Sequence, residues 1–169
     1  MDKDQKAIVT DLKQKYAKDP SSAQVTLLAS GRADTALSCK VETVKGIVEA
    51  GPHAGMGGDG TLACSGNMLL EALVACSGVT LRSVATAMEI ELRDSVITAE
   101  GDLDLRGVLA VVNDAPVGFK NLRLRFVLDT NASEEQCEML IRLTEKYCVV
   151  LQSLRPAIIV EQKKAAPTT

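Results

Sequence analysis

The longest apolar pattern in the chain runs from Asn67 to Met88, NMLLEALVACSGVTLRSVATAM, and reads as a helix. Leu69, Leu73, Cys76, Val79 or Thr80, Ser83 and Ala87 recur at three- and four-residue steps, which places Cys76 on an inward stripe. The opposite side carries only Glu71 and Arg82 as charges, so the helix is expected to be covered on most faces by sheet or by a partner subunit. Ser65, Gly66, Asn67, Glu71, Ser77 and Gly78 interrupt the run, which leaves it short of the roughly 20 predominantly apolar residues of a membrane span.

Around this helix the pattern alternates between strand and helix periods. Asp4 to Lys18 places Ile8, Val9, Leu12 and Tyr16 at helical spacing, and Asp19-Pro20 stops it, giving an N-terminal amphipathic helix over residues 1–20. Gln24 to Arg32 and Ala36 to Glu49 predict a hairpin or meander that turns through Gly31-Arg32-Ala33-Asp34. The glycine-rich 51–60 segment, GPHAGMGGDG, lacks the Gly-Lys-Ser/Thr ending of a phosphate loop and reads as a flexible connector with His53 solvated. Ile90 to Leu92 and Ser95 to Leu105 alternate as strands, Val108 to Val112 continues or restarts them, and residues 113–118 form a loop. Phe119 to Asp129 turns Leu122, Leu124, Phe126 and Leu128 inward, leaving Lys120, Arg123 and Arg125 on a solvated face.

Ser133-Glu134-Glu135-Gln136 is a capping box, and the helix it opens carries Cys137, Leu140, Ile141, Thr144 and Cys148 along one face. Cys148 is expected in its last turn; Leu154-Arg155-Pro156 breaks the pattern, Ala157 to Val160 makes a final strand, and a flexible tail follows over residues 163–169. The order predicts an α+β fold in a single domain over residues 21–162, without the regular alternation of a doubly wound sheet.

Composition narrows the function. Apolar residues make up 46 % of the 169 residues and aromatics 2 %, so stacking on nucleic-acid bases is nearly excluded. A net charge of −3 and a pI near 5.3 give no basic footprint for nucleic acid or an anionic membrane, which leaves a small ligand. No charged stub with an apolar run opens the sequence, so the cytoplasm is the expected location. Five cysteines, none in a CxxC pair, and one histidine fit neither a disulfide framework nor a zinc site. No cofactor is expected.

The cysteines carry the chemistry. Burial in an apolar helix raises a thiol pKa, so Cys76 taken alone reads as an inert core residue. Cys148 ends the other long internal helix, however, and both cysteines lie on buried faces, where they could meet. A helix C-terminus disfavours a thiolate at Cys148, which suits a resolving thiol better than an attacking one.

The stretches MLLEALVACSGVTLRSVA around Cys76 and YCVVLQSL around Cys148, 72 positions apart, resemble the two cysteine segments of the OsmC/Ohr family of thiol-dependent hydroperoxide reductases. The similarity runs from about Gln24 to Gln162. It implies an intertwined homodimer, with sheets wrapped around two central helices and active sites at the interface. It also implies that Cys76 attacks an organic hydroperoxide and becomes a sulfenic acid, that Cys148 condenses with it, and that a dithiol such as a dihydrolipoyl group restores both thiols. An arginine of the N-terminal hairpin stabilises the thiolate in the family, and Arg32 is the candidate here.

Two departures qualify the resemblance. Where the family has Asn-Pro-Glu or Ser-Pro-x-Glu before the helix, this chain reads Cys64-Ser65-Gly66-Asn67, and Glu71 lies about one turn too late, on a different side from Cys76. Val149 replaces the proline that commonly follows the second cysteine. An alternative is therefore a ligand-binding or redox-sensing protein on the same scaffold. Cys39, Cys64 and Cys137 are expected to be small apolar fillers, with Cys64 the weaker candidate for a third redox thiol.

Overall fold

A computed structural model describes residues 12, 14–16, 18–19, 22, 30–34, 38–43, 46–111, 113–154 and 158–164. A meander of β1 (Ser30–Asp34), β2 (Ser38–Thr43) and β3 (Gly46–Gly51) comes first, then a 3-10 turn (Ala54–Met56) and β4 (Ala63–Cys64). β4 leads directly into α1 (Ser65–Ala87). β5 (Leu92–Asp102), α2 (Leu105–Val108), β6 (Lys120–Thr130), α3 (Glu134–Tyr147), α4 (Val149–Ser153) and β7 (Ile158–Lys164) complete the α+β order. The strands form two sheets, β1-β2-β3-β4 and β5-β6-β7. β3–β4 and β6–β7 are parallel and the other pairs antiparallel.

The core forms where α1 and α3 meet the second sheet. Strand period two sends Leu122, Leu124, Phe126 and Leu128 of β6 to one face, and all four are buried. Leu124, Phe126 and Leu128 pack with Leu73, Leu81, Val84 and Ala85 of α1 and with Cys137, Leu140 and Ile141 of α3. Each fully buried Leu or Phe contributes roughly 1.5–3 kcal/mol. The basic stripe on the opposite face of β6 is neutralised rather than merely solvated: Arg123 pairs with Glu100 and Asp102, and Arg125 with Glu161. Where β5 bends, Gly101 is needed, since a β-carbon there would stand 2.6 Å from Phe119 Cδ1 and 2.8 Å from Leu122 Cδ2.

α3 begins as its sequence dictates. The Ser133 hydroxyl accepts from Gln136 N at 3.3 Å while Gln136 Oε1 accepts from Ser133 N at 2.9 Å, a complete capping box. Glu134 and Glu135 in the first turn and Lys146 in the last complement the helix dipole.

Several expectations are corrected. Gly31–Asp34 is not a turn but most of β1, with Arg32 opposite Lys40; the connection to β2 falls on residues 35–37, outside the described residues. The expected strand start at residues 24–29 also lies outside them. The stretch from Leu105 is a short helix instead of strand, because Asp104 caps it by accepting from Arg106 N at 3.1 Å. The connector at 51–60 is ordered by its own side chains: exposed His53 accepts from Gly55 N at 3.0 Å, and Asp59 from Thr61 N at 2.9 Å. β7 reaches Lys164, beyond the expected end at Val160, drawn on by its parallel register with β6 as far as Leu128. Of the N-terminal segment, Leu12, residues 14–16 and Lys18 are helical; the rest lies outside the described residues.

α1 is also less covered than its composition suggests. By length and composition its 23 residues could cross a membrane, yet only 28 % of its most apolar window is buried within the chain. Leu69 is 38 % and Val79 74 % exposed on its outer side.

Candidate thiol site

Packing selects one stripe of α1, and it lies one position away from the stripe read from the sequence. Leu73, Ser77, Leu81, Val84 and Ala85 face inward. Cys76 is half-buried at the edge of that stripe instead of in its middle. One turn on, Thr80 donates to the Cys76 carbonyl at 2.8 Å, which fixes the local backbone.

Cys148 is fully buried and sits at a break between helices, not inside a last turn. Its N–H donates to Thr144 O at 2.9 Å, closing α3, while its own φ of −74° and ψ of 108° turn the chain out of the helix. α4 starts at the next residue, so one cysteine is both the C-cap of α3 and the N-cap of α4. The first N–H groups of α4 have no intrahelical partner. Those of Val149 and Val150, together with the Cys148 thiol, act as donors that lower the Cys76 thiol pKa.

These contacts separate the two thiols. Burial pushes Cys76 up, but donation from Val150 N–H, the Cys148 thiol and Val149 N–H outweighs it, and the net displacement is below the ordinary cysteine value. Cys148 is pushed above its ordinary value, first by burial and further by Cys76, against donation from Ser77 and Leu151 N–H. The pair therefore gives up its first proton mainly from Cys76, and that thiolate is the one partly open to solvent. Both sulfurs are free thiols.

One turn beyond Cys76 on α1, a groove of about 700 Å³ that the Cys76 side chain does not itself line opens between that helix and α3, lined by Val79, Thr80, Ser83, Met88, Leu143 and Tyr147 among others. Its size suits a small apolar molecule. Glu71 lies elsewhere, in a groove with Ile97 and Thr98 of β5. Arg32 is placed only through the backbone of β1; its side chain, like that of Cys39, lies outside the described residues. Cys137 is buried in the core, as expected. Cys64 is the half-buried N-cap of α1 and lines a separate cavity of about 270 Å³ with His53, Leu70 and Phe119. Among the described residues, no cluster of three or more His, Cys, Asp or Glu side chains could hold a metal ion.

Ser77 and the α4 amides are the parts of the site not foreseen from the sequence. A polar residue inside an apolar helix was the signal for Ser77. Backbone donors leave no such signal, because any non-proline residue carries one.

Residues 58–163 match the family described as OsmC-like protein. The chain belongs to that family. Solved structures agree on the fold of this OsmC-like chain. An OsmC-like protein from Mycoplasma pneumoniae superposes with a TM-score of 0.71 at 15 % identity, over 85 % of this chain and 99 % of that one. An organic hydroperoxide resistance protein from Elizabethkingia anophelis, with thiocyanate bound, gives 0.67 at 16 % identity over 85 % and 98 %. The organic hydroperoxide resistance protein OhrB of Bacillus subtilis gives 0.56 at 19 % identity over 83 % and 98 %. No match was found among curated proteins.

Proposed function

We propose that this OsmC-like protein is a thiol peroxidase that reduces organic hydroperoxides through Cys76 and Cys148. The observation that carries the proposal is the placement of two free thiols beside one another, Cys76 half-exposed on α1 and Cys148 fully buried at the α3–α4 break, in surroundings that favour the thiolate at the first and the thiol at the second. The Cys76 thiolate attacks the terminal oxygen of the hydroperoxide; the O–O bond breaks, the alkoxide leaves with a proton as alcohol, and Cys76 becomes a sulfenic acid. Cys148 then attacks that sulfur, the S–O bond breaks, and water departs as the disulfide forms. A dithiol, such as a dihydrolipoyl group, returns both sulfurs to thiols by exchange. The apolar groove that begins at Val79 and Thr80, one helical turn from Cys76, supports organic hydroperoxides over hydrogen peroxide as substrates, since burying an alkyl chain there adds binding that the smaller molecule lacks.

The working unit is proposed to be a homodimer in the cytoplasm. The exposed outer side of α1, with Leu69 and Val79, supplies an apolar surface for a second subunit. Arg32 is proposed, on the family resemblance, as the cation that faces the thiolate. The test is steady-state turnover of an organic hydroperoxide with dihydrolipoamide. Cys76→Ser is expected to abolish turnover and keep the dimer; turnover that survives the substitution would exclude the mechanism.

A second possibility follows from the Cys64-Ser65-Gly66-Asn67 segment, where the family glutamate is missing: a ligand-binding or redox-sensing protein that uses the same groove. It predicts saturable binding of an apolar ligand with no turnover.

A further inference from the structure

α1 buries one polar side chain completely, that of Ser77, which is 0 % exposed. A hydroxyl taken out of water costs free energy unless it is hydrogen-bonded. Other helical hydroxyls near the site bond within their own helix: Thr80 donates to Cys76 O, Thr86 to Arg82 O and Thr144 to Leu140 O, at 2.8, 2.9 and 2.8 Å. Ser77 instead reaches across the packing, with its Oγ 3.4 Å from Sγ of Cys148, which is also 0 % exposed. Consecutive residues of one helix thus address the two sulfurs: Cys76 presents the open thiol and Ser77 holds the buried one.

We infer that Ser77 is a positioning residue for Cys148, orienting its sulfur toward Cys76 and donating to it as the disulfide closes. The inference rests on the two-thiol peroxidase proposed above. In the resting protein the hydroxyl and the thiol share one hydrogen bond, in either direction. When Cys148 gives up its proton, only the Ser77 O–H can donate, and it stabilises the sulfur that now carries the charge. That sulfur supplies the electron pair of the new S–S bond, the S–O bond of the Cys76 sulfenic acid breaks, and the departing hydroxide takes up the proton as water. The oxidant is the sulfenic acid left by the hydroperoxide, so the step needs no further reagent.

Single-turnover oxidation with one equivalent of tert-butyl hydroperoxide separates the steps, using dimedone to trap the sulfenic acid and peptide mass spectrometry to count disulfide. Ser77→Ala is expected to close the disulfide about tenfold more slowly once the Cys76 sulfenic acid has formed, the scale set by losing a hydrogen bond to a charged group. The midpoint of the closure rate against pH should also rise. Ser77→Thr against Ser77→Val repeats the comparison, hydroxyl against methyl at nearly equal volume, and covers a failure of the alanine variant to fold: closure slower in the valine variant supports the inference. Equal closure rates and pH profiles with and without the hydroxyl, in either pair, would overturn it. A wild-type protein that oxidises Cys76 and never closes the disulfide would remove the two-thiol proposal and this inference together, whereas wild-type closure indifferent to Ser77 would remove the inference alone.

Discussion

Replacing Val149 by proline removes one donor from Cys76 and little else. Val149 is the first residue of α4, the helical position where proline is best tolerated, and its side chain is 67 % exposed. Cys148, which would precede the ring, already has φ −74° and ψ 108°, the extended conformation that a following proline requires. What is lost is the Val149 N–H, one of the donors that hold the Cys76 thiol below its ordinary value. A hydrogen bond to a charged group is worth about 1.5–3 kcal/mol, and screening at a partly exposed sulfur reduces that to about 1 kcal/mol. Thiolate at Cys76 then falls about fivefold at pH values below its midpoint, and the midpoint moves up. Each remaining thiolate is a better nucleophile by about twofold, because nucleophilicity rises with pKa at a Brønsted slope of about 0.4–0.5. The variant should therefore react about 2.5-fold more slowly than wild type at low pH and about twofold faster on the high-pH plateau. The assay is reaction with a small neutral disulfide across pH, with Cys76 followed by peptide mass spectrometry. Curves that cross support the argument; superimposable curves, or a variant slower at every pH, would refute it.

Other substitutions probe different parts of the account. Cys148→Ser should leave the first oxidation of Cys76 intact but let its sulfenic acid persist and overoxidise, read as dimedone adduct and sulfinic acid by mass spectrometry. Arg32→Ala should raise the pH at which Cys76 becomes reactive in the same disulfide assay, an effect that weakens in high salt. Phe126→Ala removes a fully buried ring of β6 and should cost about 3–5 kcal/mol, measured by urea unfolding.

Local signals made much of the fold legible. The capping box at Ser133, the alternation through β6 and the length of α1 are written in short stretches whose partners are close in sequence. The inward face of α1 was harder, because a helix apolar almost all round has no period that chooses between Cys76 and Ser77. That choice belongs to Leu124, Phe126, Leu140 and the other residues packed against it. The break at Cys148 was hidden for a related reason: Cys148-Val149-Val150 contains no glycine or proline, and the chain turns there through contacts with α1 rather than through local propensity. α2 was misread since the alternation up to Leu105 and the run from Val108 to Val112 look strand-like, although Asp104 was available as a cap. The two cysteines were found as candidates and their adjacency was foreseen as possible. Their opposed titration was half foreseen: Cys148 was the expected weak thiolate, but for Cys76 the sequence alone argued for an inert thiol, and the amides that reverse this come from the unforeseen start of α4.

The most direct test of the central claim is mass spectrometry of the wild-type protein after one equivalent of an organic hydroperoxide, followed by dihydrolipoamide. The account predicts rapid loss of two hydrogens per chain, mapped to a Cys76–Cys148 disulfide, and full return of both thiols on adding the dithiol. Cys76 that stays reduced, or that oxidises slowly without reaching Cys148, would contradict it.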